Sequence, residues 1–336
     1  MQARGSSDTT FTRRAMLAGT AAGTLALGTG SASAQRCPAT PPAREKGPLV
    51  WLDMDQHELD EAYDQSVYAF NAKNISARRA ANNKKVIAII GEPQRAAYGP
   101  AEIEKVDIWK TKRANAPVLI FIHGGAWRGG RASQVAYIAE PFTKAGAHFV
   151  SVDFSNVLET KGDILPMADQ CRRAIAWVYK NAASFGGDPE QIYLAGHSSG
   201  GHLGGVMLIT DWAKYDLSKN PIKGALLGSG MYDLKPVRLS KRGNYVTFTD
   251  EMEDALSTQR HLAKIQTPVV LTHGSLETPE FQRQSRDFFA AMKAAGKPVE
   301  LLVGEGYNHY ETQETLGNPY GFMGRAAMEM MKLNAA

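Results

Sequence analysis

From residue 118 onward, short uninterrupted apolar runs recur along the chain, at 118–122, 148–152, 192–195, 225–227, 269–272 and 299–303. A run without polar alternation suits a strand buried on both faces, as in a parallel sheet. Stretches with helical spacing lie between the runs, notably 166–183 and 279–295. This alternation predicts an α/β fold: a mostly parallel central sheet flanked by helices on both faces. Upstream, residues 55–83 mix charged and apolar positions at roughly helical spacing and predict one or two helices. Residues 95–110, "RAAYGPAEIEKVDIWK", read as two short strands about a Tyr-Gly-Pro turn. Residues 210–222 and 231–262 carry less pattern. They are expected as loops or small helices over the carboxyl edge of the sheet, where such folds bind ligands; with 51–83 they would lie near the site.

The chain has 336 residues, 43% of them hydrophobic, enough for one large core over 51–336. No internal repeat stands out. The N-terminal stretch "FTRRAMLAGTAAGTLALGTGSASAQ" places Arg13 and Arg14 before a small, mildly apolar run that ends in Ala32-Ser33-Ala34. That order is the one a cleavable signal peptide needs, and the paired arginines resemble a twin-arginine (Tat) export signal over residues 1–34. A membrane anchor fits less well, because Gly and Thr dilute the apolar run. The address implies a periplasmic or secreted protein, free of the membrane after cleavage. A Pro-rich arm, 35–50, follows.

The formal charge of +4 shrinks to about +2 once Arg4, Arg13, Arg14 and Asp8 of the first 34 residues are removed. Nothing in that balance argues for a nucleic-acid or acidic-membrane partner. There are two cysteines, Cys37 in the arm and Cys171 on the apolar face of a predicted helix. Cys171 is expected as a buried free thiol; their pairing stays open.

The run 192–195 ends in "GHSSGGH" (196–202). Gly196-His197-Ser198-Ser199-Gly200 fits G-x-S-x-G, a sharp strand-to-helix turn that exposes its central serine. Moving the frame to Ser199 would put His197 at the first glycine position, so Ser198 is the candidate nucleophile. Ser199 would offer its backbone N–H to an oxyanion. The run 118–122 leads into "HGGAW", where Gly124 and Gly125 could aim two further N–H donors at the same oxygen and His123 would brace the loop.

"HGGAW" upstream of "GHSSGGH" resembles the α/β-hydrolase fold over roughly residues 50–335, in particular the hormone-sensitive-lipase-like esterases and the arylformamidase (kynurenine formamidase) branch. "SLETPEFQRQSRDFF" is similar to the acid-bearing segment of that branch. In this fold the chain order is Ser, acid, His. His261 and His273 come too early, so His309, just after the last apolar run, is the candidate base. The loop after 269–272 offers Glu277 and Glu280, with no Asp where the family usually has one. Thr278-Pro279-Glu280 reads as a helix start, which leaves Glu277 as the candidate acid.

Trp127, Phe281 and Tyr310 fall near these loops and are candidates for an apolar pocket suited to acyl or aryl esters. No metal-ligand set or cofactor motif stands out; His197 and His202 are five apart and do not share a helix face. The resemblance implies a serine hydrolase acting on small-molecule esters, with an arylformamidase or amidase as the near alternative and an inactive binding scaffold as the distant one. Whether the protein is a homodimer stays open.

Overall fold

The apolar runs become the parallel strands of one eight-stranded sheet. A computed structural model describes residues 44–334; the signal-peptide expectation, residues 35–43 of the arm and Cys37 lie outside the described residues. A compact unit begins at Lys46. Its first strands, β1 (Leu49–Trp51) and β2 (Met54–Asp55), form a small antiparallel pair ahead of α1 (Gln56–Ala62) and α2 (Ala72–Ile90).

The main sheet holds β3 (Gln94–Ala97), β4 (Lys105–Trp109), β5 (Ala116–Ile122), β6 (His148–Val152), β7 (Gly187–His197), β8 (Ile222–Gly228), β9 (Val269–Gly274) and β10 (Val299–Gly304), in the order β10-β9-β8-β7-β5-β6-β4-β3. The strands β5 to β10 pair only in parallel with one another. Each of the first five is followed by a segment long enough to cross back: α3 (Ala136–Lys144), α4 (Leu165–Asn181), α5 (Ser199–Leu208), the pair α6 (Lys235–Leu239) and α7 (Asp250–Leu256), and α8 (Pro279–Ala294). After β10 come α9 (His309–Leu316) and α10 (Phe322–Met330). Between β3 and β4 the link is too short for a crossover, so that pair is antiparallel, as the turn in 95–110 predicts.

Successive residues of β5 serve opposite faces. Val118, Ile120 and Ile122 join the core that includes Met167 and Ile175 of α4, Leu203 of α5 and Phe288 of α8. Leu119 and Phe121 join a second core with Ile138 and Phe142 of α3, Leu316 of α9 and Met323 of α10. Burial on both faces is why the run shows no alternation, and each large apolar side chain so buried contributes roughly 1.5–3 kcal/mol. Cys171 of α4 is a buried free thiol, and burial pushes its pKa up, away from thiolate reactivity.

The two less-patterned excursions part ways. Residues 231–262 follow β8 and so start from the carboxyl edge. Residues 210–222 follow α5 instead and lead into β8, so they belong to the amino edge. There Asp216 pairs with Lys180 in the last turn of α4, at 3.4 Å. The expectation that both cover the site is corrected for 210–222: a helix antiparallel to its strand returns the chain to the opposite edge.

Candidate active site

Parallel strands bring the residues at their carboxyl ends to one edge. Ser198 comes after β7, Glu277 after β9, His309 after β10, and Gly124 and Gly125 after β5. Ser198 Oγ lies 2.9 Å from His309 Nε2, and His309 Nδ1 lies 2.8 Å from Glu277 Oε2. A carboxylate can only accept here, so Nδ1 carries the proton and Nε2 accepts from the Ser198 hydroxyl. Glu277 is 1% exposed, and its other oxygen, Oε1, accepts from Ser229 Oγ at 2.6 Å and from the Gly274 N–H at 2.8 Å. Both carboxylate oxygens are thereby fixed. Phe281 of α8 sets its ring against the imidazole at 5.0 Å and 73°. His309 opens α9 directly after its Asn308 cap, whose side chain accepts from the Tyr310 and Glu311 N–H groups.

The elbow is strained, and the strain is local. Ser198 has φ 59°, ψ −125°, a region costly for a residue with a Cβ. A Cβ on Gly196 would sit 2.3 Å from the Gly200 carbonyl oxygen, and one on Gly200 would sit 2.1 Å from that of Ile122. Only glycine fits at either position. In the facing loop, a Cβ on Gly124 would meet the Ser198 Cβ at 3.1 Å, so this backbone runs directly against the serine. Gly125 has φ +126°, closed to other residues, and Ala126 and Trp127 continue in the left-handed region at φ 55° and 60°. The Ser199 N–H begins α5 beside the same space. His123 donates from Nδ1 to the Gly124 carbonyl at 2.9 Å and stacks on Phe154 at 4.3 Å, bracing the loop.

Glu280 is held elsewhere. It takes a bidentate pair from Arg283 at 2.6 and 2.8 Å and accepts from the Tyr63 hydroxyl at 2.9 Å. His197 and His202 are likewise occupied. His197 donates from Nε2 to Thr312 Oγ1 at 2.8 Å, while that hydroxyl donates to the His309 carbonyl, also at 2.8 Å. Burial first, then the nearby His309, drive the pKa of His197 well below the usual histidine value. His202 accepts at Nδ1 from the Trp127 indole N–H and donates at Nε2 to the Leu256 carbonyl. Both its nitrogens are satisfied in the neutral ring, and burial lowers its pKa to about 4.

The depressed pKa of His202 has a stability consequence. Between pH 6.5 and about 4 the unfolded chain takes up a proton that the native ring refuses, so stability falls as the pH drops through that window. By pH 4.5 this ring alone should cost roughly 2–3 kcal/mol. Urea unfolding at pH 7.5 and 4.5 should show a smaller loss in His202→Gln than in the unaltered chain; an identical loss would remove His202 as the cause.

A cleft of about 1040 Å³ opens onto Ser198 and His309. Tyr310 lines it, its ring perpendicular to His309 at 5.9 Å. Trp127 and Phe281 do not line it, which corrects two of the three pocket residues. Trp127 is 1% exposed, because its left-handed backbone turns the indole inward onto His202. Phe281 is fully buried behind the imidazole. The lining is apolar over the larger part of its surface, as expected, yet it is also strongly basic. It carries Arg79 from α2, Lys84, Arg128, Arg131, Lys241 and Arg242 against one carboxylate, Asp64. Sequence reasoning missed these cations and Ser229. Arg79 sits among the charges of a solvated helix, and Arg242 in the patternless "SKRGNY", with no local signal for either.

A model of the family described as BD-FAE matches residues 106–225, from β4 to β8, a stretch that includes the glycine loop and the elbow. Kynurenine formamidase of Danio rerio is 29% identical over 279 residues, 79% of this chain and 93% of its own length. Esterase LipC of Mycobacterium tuberculosis is 26% identical over 235 residues, 61% of this chain and 56% of its own. Among solved structures, a candidate thioesterase from Silicibacter sp. TM1040 superposes with a TM-score of 0.70 at 22% identity, over 79% of this chain and 97% of that one. A thermophilic esterase of Thermogutta terrifontis superposes at 0.60 and 20% identity, over 72% and 92%.

Proposed function

We propose that this α/β-hydrolase, a serine esterase-like enzyme, is exported and cleaves carboxylic esters of small acyl groups or aryl alcohols through a Ser198–His309–Glu277 triad. The observation that carries the reading is the hydrogen-bonded chain from the Ser198 hydroxyl through the His309 imidazole to Glu277, at 2.9 and 2.8 Å. Serine is barely nucleophilic at neutral pH unless a base takes its proton during attack. His309 Nε2 takes that proton as Ser198 Oγ bonds to the ester carbonyl carbon. The N–H groups of Gly124, Gly125 and Ser199 receive the negative oxygen of the tetrahedral intermediate. Collapse breaks the bond to the alcohol, which leaves with the proton from His309. Water then attacks the acyl-serine by the same route in reverse, and the acid departs. Throughout, Glu277 keeps the imidazole in its tautomer and stabilises the imidazolium.

A second reading, cleavage of N-formyl or aryl amides, is favoured by one observation. The kynurenine formamidases of Danio rerio and Salmo salar match along 93% of their own length. The same triad serves both reactions, the leaving atom alone differing.

One experiment addresses substrate and export together. The full chain, expressed in a bacterium with a twin-arginine pathway, is assayed in periplasmic and cytoplasmic fractions with p-nitrophenyl acetate and N-formylkynurenine. The expected result is ester turnover in the periplasm that shifts to the cytoplasm when Arg13 and Arg14 become Lys. Turnover confined to the formyl substrate would move the assignment to formamidase, and unaltered delivery of the Lys variant would remove the twin-arginine route.

A further inference from the structure

Arg242 is 6% exposed, yet no ion pair joins it to a carboxylate among the described residues. Its guanidinium donates to the Tyr245 hydroxyl at 3.1 Å and to the Tyr63 carbonyl at 3.0 Å, while its Nε is buried with no hydrogen-bond partner. The rings of Phe281, Trp127 and Tyr63 lie 5.7, 5.8 and 6.0 Å from its central carbon. Rings and neutral acceptors can accommodate a guanidinium, but none of them cancels its charge. Buried charges are ordinarily paired.

The surroundings offer no counter-ion among the described residues. Asp64, the carboxylate that lines the cleft, is engaged by Lys241 and accepts from Ser66. Arg79, which also lines the cleft, donates to Gln313 at 2.9 Å and forms no ion pair among the described residues. The other buried acids nearby, Glu277 and Glu280, are committed to His309 and to Arg283. Arg242 lines the cleft, and Phe281 touches both its guanidinium, at 5.7 Å, and the His309 ring, at 5.0 Å. The unpaired charge and the reacting atoms therefore share one cleft, with Phe281 packed behind both.

We infer that Arg242 is a carboxylate subsite, and that the substrate is an ester or amide carrying a free carboxylate that reaches Arg242 within the same cleft. The inference rests on the hydrolase reading and names its substrate class. A planar carboxylate matches the guanidinium fork and supplies the missing negative charge in a setting that excludes much of the water. Arg79, which also lines the cleft, adds to the field that draws an anion into it.

Binding tests the subsite apart from the chemistry. In a Ser198→Ala chain, 3- and 4-acetoxybenzoate are titrated calorimetrically against 3- and 4-acetoxybenzamide, which match them in shape and lack the charge. At least one acid is expected to bind roughly 10- to 100-fold more tightly than its amide, the range for a hydrogen bond to a charged group. In a Ser198→Ala background, Arg242→Gln should erase that ratio, while Arg242→Lys should keep part of it. Equal binding of acid and amide by the Ser198→Ala chain overturns the inference, even where the Gln variant fails to fold. A ratio undiminished in a folded Arg242→Gln chain overturns it as well. Turnover of the acetoxybenzoates by the unaltered chain tests the esterase reading separately. Its failure with the binding ratio intact would leave the subsite standing and remove the ester chemistry.

Discussion

Ser198→Ala should lower kcat for ester hydrolysis by roughly a millionfold, the scale on which serine hydrolases lose their nucleophile. Removing Oγ removes the atom that bonds to the substrate, and it leaves His309 Nε2, which lies 2.9 Å from that oxygen, without a proton to take. The N–H groups around Gly124, Gly125 and Ser199 stay in place, so a small residue of catalysis over water should persist. The backbone at φ 59° is set by the crowding of Gly196 and Gly200, not by the hydroxyl, so the far-UV circular dichroism should be unchanged. A fluorophosphonate probe should label the unaltered chain at Ser198 and not the variant. Retained turnover in a folded Ala variant would mean that another group attacks.

Glu277→Gln carries the second large effect, roughly a 10⁴-fold loss in kcat, and the direction comes from which atoms donate and which accept. Oε1 of Glu277 receives two donors, from Ser229 and Gly274, so the amide oxygen of a Gln is held at that position. Its NH₂ then faces His309 Nδ1, where Oε2 now accepts. The imidazole must turn to the other tautomer, with the proton on Nε2, and can no longer accept from Ser198. Glu280→Gln should behave differently. It breaks the bidentate pair with Arg283 in a buried setting and should cost roughly 2–3 kcal/mol of stability. Its kcat, measured on folded protein, should stay within about threefold, since no bond joins Glu280 to the imidazole. Urea unfolding and steady-state kinetics on both variants separate the two roles. Equal or reversed kinetic losses would reassign the acid to Glu280.

Much of the fold was legible because its signals are short-range. Runs buried on both faces cannot alternate, so β5 to β10 stand out as blocks. The elbow declares itself because the clashes that demand Gly196 and Gly200 arise within five residues and one neighbouring strand. The helix-start chemistry of Thr278-Pro279 separated Glu277 from Glu280 for a similarly local reason. The helix order was less legible where direction matters. Residues 210–222 and 231–262 look alike in composition, but one precedes β8 and the other comes after it, which puts them on opposite edges of the sheet.

The sequence by itself determined the α/β class, the serine set in a glycine-flanked turn, and a base and an acid placed after later strands, because chain order along parallel strands is enough to bring them to one edge. Only the tertiary structure decided what surrounds them. That Trp127 and Phe281 turn into the core, that Ser229 holds the second oxygen of Glu277, and that Arg242 is buried without a carboxylate among the described residues are facts about distant segments meeting. A charge is lone or paired only relative to everything folded around it, and no window of neighbouring residues contains that information.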